Sequence, residues 1–136
     1  MDTNEAFAAE VVPLLREDID AMHHGDNAPR LALWSRTEPL TLMGAWLTAS
    51  GWQEIQPVID RLKGTFRGSG SFDYEVVAAE CSGDLGYVVA LEHNAGVVAD
   101  QGPSDYTLRV TTVLRREDGA WKVVHRHSDG LGFAAS

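Results

Sequence analysis

TTVLRREDGAWKVVHRH, residues 111–127, contains the strongest structural signal in the sequence. Apolar and polar residues alternate on both sides of Asp118-Gly119, a pair typical of a tight β-hairpin turn. Strands with this alternation have one face toward a core and one toward solvent. We therefore expect an antiparallel hairpin, with strands over 106–116 and 121–129.

The same two-residue period continues upstream of the hairpin. Residues 72–79 alternate in the same way, and a turn at Gly83-Asp84 separates them from a long strand over 86–98. A loop over 100–104 connects that strand to the hairpin. The C-terminal half is therefore predicted to be an antiparallel meander.

The N-terminal half has a helical period instead. A first helix begins near Asp2 and ends at 23–26, with a kink or restart expected at Pro13. A short helix follows Pro29, a strand covers 41–46, and another helix covers 52–66. The acidic residues of the first helix, Asp18 among them, are expected to face water. The side chains predicted to pack on the sheet are Phe7, Val11, Leu14, Trp52, Ile55, Ile59 and Leu62.

Helices followed by a meander predict the α+β class, with the helices on one face of the sheet. A length of 136 residues fits a single domain over 1–136. Eleven Lys and Arg stand against 20 Asp and Glu, a net charge of −9, which disfavours nucleic acid as a partner. No basic cluster, membrane-length apolar run or signal peptide is seen, so we expect a cytoplasmic protein without a membrane partner.

The hairpin and the element order resemble the nuclear transport factor 2-like superfamily. The ending Gly119-x-Trp121-x-Val123-Val124-His125-x-His127 is similar to that of SnoaL-like and ketosteroid-isomerase-like proteins. The hairpin also resembles that of the association domain of calcium/calmodulin-dependent protein kinase II. The resemblance implies a cystatin-like cone: a strongly curved, mainly antiparallel sheet enclosing a conical pocket, with an outer face that often pairs as a homodimer.

The resemblance also orients the strand faces. Arginines that face the pocket of the kinase association domain match Glu92, Thr112 and Ser128 here, so these positions and Arg126 are expected to point inward. Since none of the three is Arg, the anionic-ligand site of that domain is not reproduced. Ketosteroid isomerases need a carboxylate base in the stretch that matches residues 43–45, and it is missing, so steroid isomerisation by that mechanism is excluded.

Strand alternation places Thr112 and Leu114 on one face with Arg126 and Ser128 as cross-strand neighbours. The opposite face would carry Arg109, Thr111, Val113, Trp121, Val123, His125, His127 and Asp129. A β-bulge would exchange these sets locally.

Glu92 is the best candidate for a catalytic acid or base, because a carboxylate on an apolar strand is poorly solvated. Arg126 is its expected partner, and the two would point into the cone. The alternative is a structural ion pair of Glu92 with Arg126 or Arg109 that holds the sheet together. A flat apolar ligand would contact the candidate binding residues Trp34, Trp46, Tyr74, Thr112 and Ser128, although each aromatic residue fits a core position equally well.

His125 and His127 share a strand face, but two histidines are too few for a closed zinc site, so we expect no metal and no cofactor. With Val113 they are placed at the homodimer interface instead. Two functions remain open. One is a cofactor-independent isomerase, cyclase or lyase acting on a small apolar metabolite. The other is a non-catalytic ligand-binding or assembly module. An open cavity with an unpaired Glu92 would favour the enzyme, whereas a filled or fully ion-paired interior would favour the module.

Overall fold

The computed structural model describes residues 2–44, 47–62, 66–98 and 102–131. Its elements are α1 (Thr3–His23), α2 (Ala28–Leu33), β1 (Thr41–Gly44), β2 (Leu47–Ser50), α3 (Trp52–Leu62), β3 (Phe66–Ser82), β4 (Leu85–Val98), β5 (Gly102–Glu117) and β6 (Ala120–Leu131). The helices pack on one side of a six-stranded, curved and unclosed sheet of order β2-β1-β6-β5-β4-β3. Only β1 and β6 pair in parallel among these strands. The predicted α+β class with a mainly antiparallel sheet is confirmed.

Helix α1 forms as its sequence predicts, since the Asp2 carboxylate caps it by accepting a hydrogen bond of 2.7 Å from the Glu5 N–H. The helix continues through Pro13 without a restart. Its buried face repeats every three to four residues and comprises Phe7, Val11, Leu15, Asp18, Ile19 and Met22. Leu14 is 38% exposed, so its predicted packing on the sheet was wrong: it lies at the edge of the stripe, beside Leu15.

The helical packing prediction holds for the other residues. Phe7, Val11, Ile55 and Ile59 are buried, and Trp52 and Leu62 are partly buried against the same core. Helix α3 ends at Leu62, and Phe66 begins β3, so the expected helix over 52–66 was too long. The single strand expected over 41–46 is instead two antiparallel strands, β1 and β2, with residues 45 and 46 outside the described part.

Gly86 allows α1 to sit directly on the sheet. A Cβ atom at this position would lie 2.6 Å from Phe7 Cζ and 2.9 Å from Cys81 Cβ, distances that no side chain tolerates. The Phe7 ring in turn packs edge-on against Trp121, with the ring centroids 4.8 Å apart. The N-terminal end of α1, which carries Phe7, is therefore fixed against both β4 and β6.

A register shift in the last hairpin changes which side chains face the core. Val113 pairs with His125, whereas Leu114 pairs with Val123, which leaves Val124 as the extra residue of a β-bulge. Trp121 and Val123 are each 3% exposed, so their predicted position on the outer face was wrong. Beyond the bulge the predicted phase returns, because Thr112 pairs with Arg126 and Val110 with Ser128.

Candidate functional site

A cavity of about 170 Å³ lies between the helices and the concave face of the sheet. Apolar side chains form most of its wall: Ile19, Met22, Leu42, Met43, Leu47, Val58, Leu62 and Leu108. Polar side chains also reach it: His23, Arg30, Glu92, Asn94, Tyr106, Arg126 and Ser128. The cone is therefore an apolar pocket with a concentrated group of polar atoms.

Glu92 and Arg126 form an ion pair in this cavity. The Arg126 Nη1 atom donates to Glu92 Oε2 at 2.9 Å, and Nη2 donates to Oε1 at 3.0 Å. Glu92 lies on β4 and Arg126 on β6, so the guanidinium reaches across β5 between them. The two side chains are only 3% and 13% exposed, respectively. The inward-facing pair that the sequence predicts is present, and both carboxylate oxygens are engaged.

The charges of this pair affect the groups around it. Burial alone would lower the pKa of Arg126, but the Glu92 charge and hydrogen bonds outweigh it and raise that pKa above the usual range. Burial raises the pKa of the Tyr106 hydroxyl, and the Glu92 charge raises it further against the opposing effect of Arg126. Burial and Glu92 act in the same way on the pKa of Tyr74. Both phenols are therefore neutral near pH 7 and can donate hydrogen bonds.

Asn94, two residues after Glu92 on β4, also lines the cavity and is 7% exposed. Its Nδ2 atom donates to the Glu92 backbone carbonyl at 3.0 Å. Its Oδ1 atom is buried without a hydrogen-bond partner among the residues that the structure describes. A buried acceptor in this state is unusual in a folded protein and requires an explanation.

The structure separates the other residues that the sequence suggests for ligand binding. Ser128 lines the cavity with Glu92 and Arg126. Thr112 is 2% exposed beside Arg126, but it is not one of the cavity-lining residues. Trp34 and Tyr74, each 3% exposed, are part of the hydrophobic core away from the cavity wall. Trp46 lies outside the described residues.

A second buried ion pair was missed by the sequence analysis. Arg30 Nε donates to Asp18 Oδ1 at 2.8 Å, and Arg30 Nη2 donates to Asp18 Oδ2 at 3.1 Å. Both side chains are less than a tenth exposed, so the expectation that Asp18 faces water was wrong. Its position seven residues after Val11, within the apolar stripe, is the signal that could have revealed it. The pair joins α1 to α2 and brings Arg30 to the cavity.

The two histidines of the last strand lie outside the cavity. His125 Nδ1 is 2.6 Å from Thr41 Oγ1, and the rings of His125 and His127 are 6.3 Å apart. Partial burial and His127 lower the pKa of His125, and a hydrogen bond to the Thr41 backbone opposes this effect. Within the described ranges no cluster of three His, Cys, Asp or Glu residues could hold a metal ion.

In the same ranges no helix has the length and apolarity that a membrane span requires.

Acid is expected to destabilise the fold through His23, another cavity residue that the sequence analysis did not single out. Burial lowers the pKa of His23 from 6.5, and His24 and Arg30 add to this effect, whereas Glu92 and Asp20 oppose it. The unfolded chain therefore binds this proton more readily than the folded chain. Stability should be retained above pH 6.5 and should fall as the pH drops below that value.

Melting temperatures of His23→Gln, measured from about pH 7 to about pH 5, check this prediction. The variant should show a shallower decline than the unsubstituted protein, because Gln does not titrate. His24→Gln is the matched control, since the His24 side chain is exposed, and it should keep the original decline. An identical decline in His23→Gln and the unsubstituted protein would contradict the assignment.

The geometry of a curved sheet around a pocket defines a cystatin-like α+β fold. The SnoaL-like domain family matches residues 11–129, and the chain belongs to this family. No curated protein matches the sequence.

Solved structures with the same fold share little sequence with this chain. A candidate dehydratase of the NTF2-like family from Streptomyces avermitilis is 18% identical, with a TM-score of 0.79 over 95% of this chain and 99% of that chain. The CaMKII hub of S. rosetta is 22% identical, with a TM-score of 0.71 over 96% and 98%. A protein with a cystatin-like fold from Nostoc punctiforme is 16% identical, with a TM-score of 0.77 over 98% and 97%. At these identities the likeness concerns the fold alone.

Proposed function

We propose that the cone binds a small, mainly apolar molecule whose polar end contacts Glu92 and Arg126. The observation that carries this proposal is an apolar cavity of about 170 Å³ with a buried ion pair in its wall. An apolar cavity of about 150 Å³ can hold benzene, so the volume suits a single-ring molecule rather than a fused-ring one. The expected ligand is therefore a monocyclic metabolite with one polar group.

The ion pair supports recognition of that polar group. A guanidinium has five N–H donors, and the bond to Glu92 uses two of them. The others can donate to a ligand oxygen while Glu92 balances the charge in a poorly solvated site. The pair would thereby orient the ligand, with its ring against the apolar wall formed by Leu42, Val58 and Leu108.

Binding of toluene and phenol, measured by titration calorimetry, tests the pocket. Leu108→Phe should abolish binding of both, because the larger ring fills the cavity from its wall. Leu85→Phe is the matched control: Leu85 is 54% exposed and is not a cavity residue, so both probes should still bind. Failure of both probes to bind the unsubstituted protein at millimolar concentration, or equal binding to Leu108→Phe, would contradict the proposal.

A catalytic role in the same pocket is the second candidate. Glu92 and Arg126 lie beside His23, whose burial favours the neutral imidazole, and a neutral imidazole can accept a proton. Cofactor-independent proton transfer, as in an isomerase, cyclase or lyase, fits these groups, and the Streptomyces neighbour is itself a candidate dehydratase. Arg126 occupies one lone pair on each Glu92 oxygen, so a substrate proton would be accepted by one of the remaining lone pairs. Loss of turnover in Glu92→Gln at a temperature where the variant is still folded would support this role, and full turnover by the folded variant would assign Glu92 to structure.

We also propose a homodimer through the outer face of the sheet. Tyr87, Val113 and His125 are cross-strand neighbours in one row over β4, β5 and β6, and Tyr87 is 36% exposed. Leu85 on β4 and Val77 on the neighbouring strand β3 are also exposed, by 54% and 60%. An apolar face of this kind is typical of a subunit interface. The CaMKII hub, which has this fold, gives the assembly role a structural parallel.

Light scattering at micromolar concentration should give twice the monomer mass, and Val113→Glu should give the monomer mass. The dimer should also loosen as the pH falls below 6.5, because burial already lowers the pKa of His125 and an interface would bury it further. Monomer mass for the unsubstituted protein would exclude the dimer. A dimer that binds neither probe would favour the assembly module over the ligand-binding protein.

A cytoplasmic location also stays a proposal, which fractionation of the native host would test.

A further inference from the structure

We propose that Thr107, His93 and Glu75 form a reactive site on the outer face of the sheet, in which His93 activates the Thr107 hydroxyl to take an acyl group from a small carboxylic ester. The three side chains lie outside the cone, so this site is independent of the ligand proposed there. The inference starts from two hydrogen bonds that join a hydroxyl, an imidazole and a carboxylate in one chain.

Strand register brings the three side chains together. His93 on β4 pairs directly with Thr107 on β5 and with Asp73 on β3. Glu75 lies two residues beyond Asp73 on β3, which is the diagonal position that a long side chain can reach. All three project from the face opposite Glu92, since successive residues of a strand alternate between the faces.

The hydrogen bonds define the direction of proton transfer. His93 Nε2 lies 2.9 Å from Glu75 Oε1, and a carboxylate can only accept, so Nε2 carries the proton. In the neutral imidazole Nδ1 is then the acceptor, and the Thr107 hydroxyl 3.1 Å away donates to it. A hydroxyl that donates to a base, which a carboxylate orients in turn, has the arrangement of an activated nucleophile.

Arg109 places a positive charge near this hydroxyl. It follows Thr107 by two residues on β5, so its side chain leaves the same face roughly 7 Å away. Two of its five N–H donors bond to Asp129, both at 2.9 Å. The other donors can stabilise the negative charge that develops on the carbonyl oxygen of an ester at Thr107.

The site is open to solvent and distant from the proposed subunit contact. The His93 and Glu75 side chains are 40% and 56% exposed, and Thr107 is partly exposed. Tyr87, which belongs to the proposed dimer contact, precedes His93 on β4 by roughly 20 Å along the strand. A small ester can therefore reach Thr107 without entering the cone or the contact around Tyr87.

The reaction follows from these positions. Thr107 Oγ1 bonds to the ester carbonyl carbon while its proton passes to His93 Nδ1, and the carbonyl electron pair moves onto the oxygen. When that pair returns, the bond to the leaving alkoxide breaks, and the alkoxide takes the proton from Nδ1. A water molecule then repeats both steps on the acylated Thr107, which releases the carboxylic acid and restores the hydroxyl.

Hydrolysis of 4-nitrophenyl acetate tests the inference, with peptide mass spectrometry to locate the acetyl group. The unsubstituted protein should carry the acetyl group on Thr107. Thr107→Val, which keeps the side-chain shape, should release 4-nitrophenol about a hundredfold more slowly once the rate in buffer is subtracted. Thr48→Val is the matched control, because Thr48 is exposed on β2 at an edge of the sheet, and it should keep the full rate.

Glu75 is a positioning residue, since it acts through His93. Glu75→Gln can present an amide N–H to the imidazole and thereby favour the tautomer that cannot accept the Thr107 proton. Its maximal rate should fall at least about tenfold, while the ester concentration that gives the half-maximal rate stays unchanged.

The three substitutions change exposed or partly exposed side chains, so each variant should melt near the unsubstituted protein. Acetyl groups found only on lysine or histidine would overturn the inference. Equal rates in Thr107→Val and Thr48→Val would overturn it as well, and so would an unchanged maximal rate in Glu75→Gln.

Discussion

Glu92→Gln is expected to lower the free energy of unfolding by about 3 kcal/mol, the lower end of the range for breaking a buried ion pair. The substitution removes the negative charge but keeps the side-chain shape, so Arg126 is left buried with an uncompensated positive charge. Its side chain is only 13% exposed, which limits the solvation that water can restore through the cavity. Chemical denaturation, with the midpoint and slope compared with those of the unsubstituted protein, measures the effect.

Two controls isolate burial as the cause. Arg109 and Asp129 form a bidentate pair with both bonds at 2.9 Å, the same geometry as the cavity pair, but their side chains are about half exposed. Arg109→Met should therefore change stability little, because exposed pairs contribute little. The double variant Glu92→Leu with Arg126→Met should recover much of the loss, since it leaves no unpaired charge. A loss in Arg109→Met as large as that in Glu92→Gln would contradict this explanation.

Asp18→Asn is expected to produce a comparable loss, about 3 to 5 kcal/mol. The Asp18 and Arg30 side chains are 8% and 7% exposed, and the pair makes two hydrogen bonds between α1 and α2. Removing the carboxylate charge leaves Arg30 buried between the helices. Because Arg30 also lines the cavity, the variant should bind the cavity probes more weakly at temperatures where it is still folded.

The neighbouring residue Glu17 gives the matched control for Asp18. It precedes Asp18 on the same helix but is exposed, so Glu17→Gln removes one negative charge from α1 without touching the pair. Thermal unfolding should place Glu17→Gln near the unsubstituted protein and Asp18→Asn well below it. Equal melting temperatures for the two variants would show that the buried pair does not hold the helices together.

Strand alternation predicted which side chains of the site share a strand face, because it depends only on counting residues. The resemblance to the kinase association domain, and not the alternation, predicted that the faces with Glu92, Thr112 and Arg126 point inward. The bulge at Val124 could not be predicted from the sequence, because no characteristic residue marks it and the alternating pattern gives no sign of it. Trp121 and Val123 were therefore assigned to the wrong face, although the phase recovers at Arg126.

The polar groups that the sequence did not reveal depend on tertiary contacts. Asp18 occupies a position of the apolar stripe, but only the approach of α2 supplies Arg30 as its partner. The burial of the Asn94 Oδ1 atom without a hydrogen-bond partner among the described residues also depends on tertiary surroundings that no local sequence pattern indicates. Trp34 and Tyr74 are aromatic residues of the kind that often lines a ligand pocket. Their side chains are buried because they pack in the hydrophobic core, and not because they contact the cavity.

Nuclear Overhauser contacts between a bound probe and the methyl groups of the protein test most directly whether the cone is the ligand site. With phenol and toluene added separately, the ring protons should contact the methyl groups of Leu42, Val58 and Leu108, which line the cavity. The exposed methyl groups of Val77 and Leu85 should show no contact and serve as the internal control. Contacts confined to Val77 and Leu85, or none at saturating probe, would contradict the assignment of the cone as a small-molecule site.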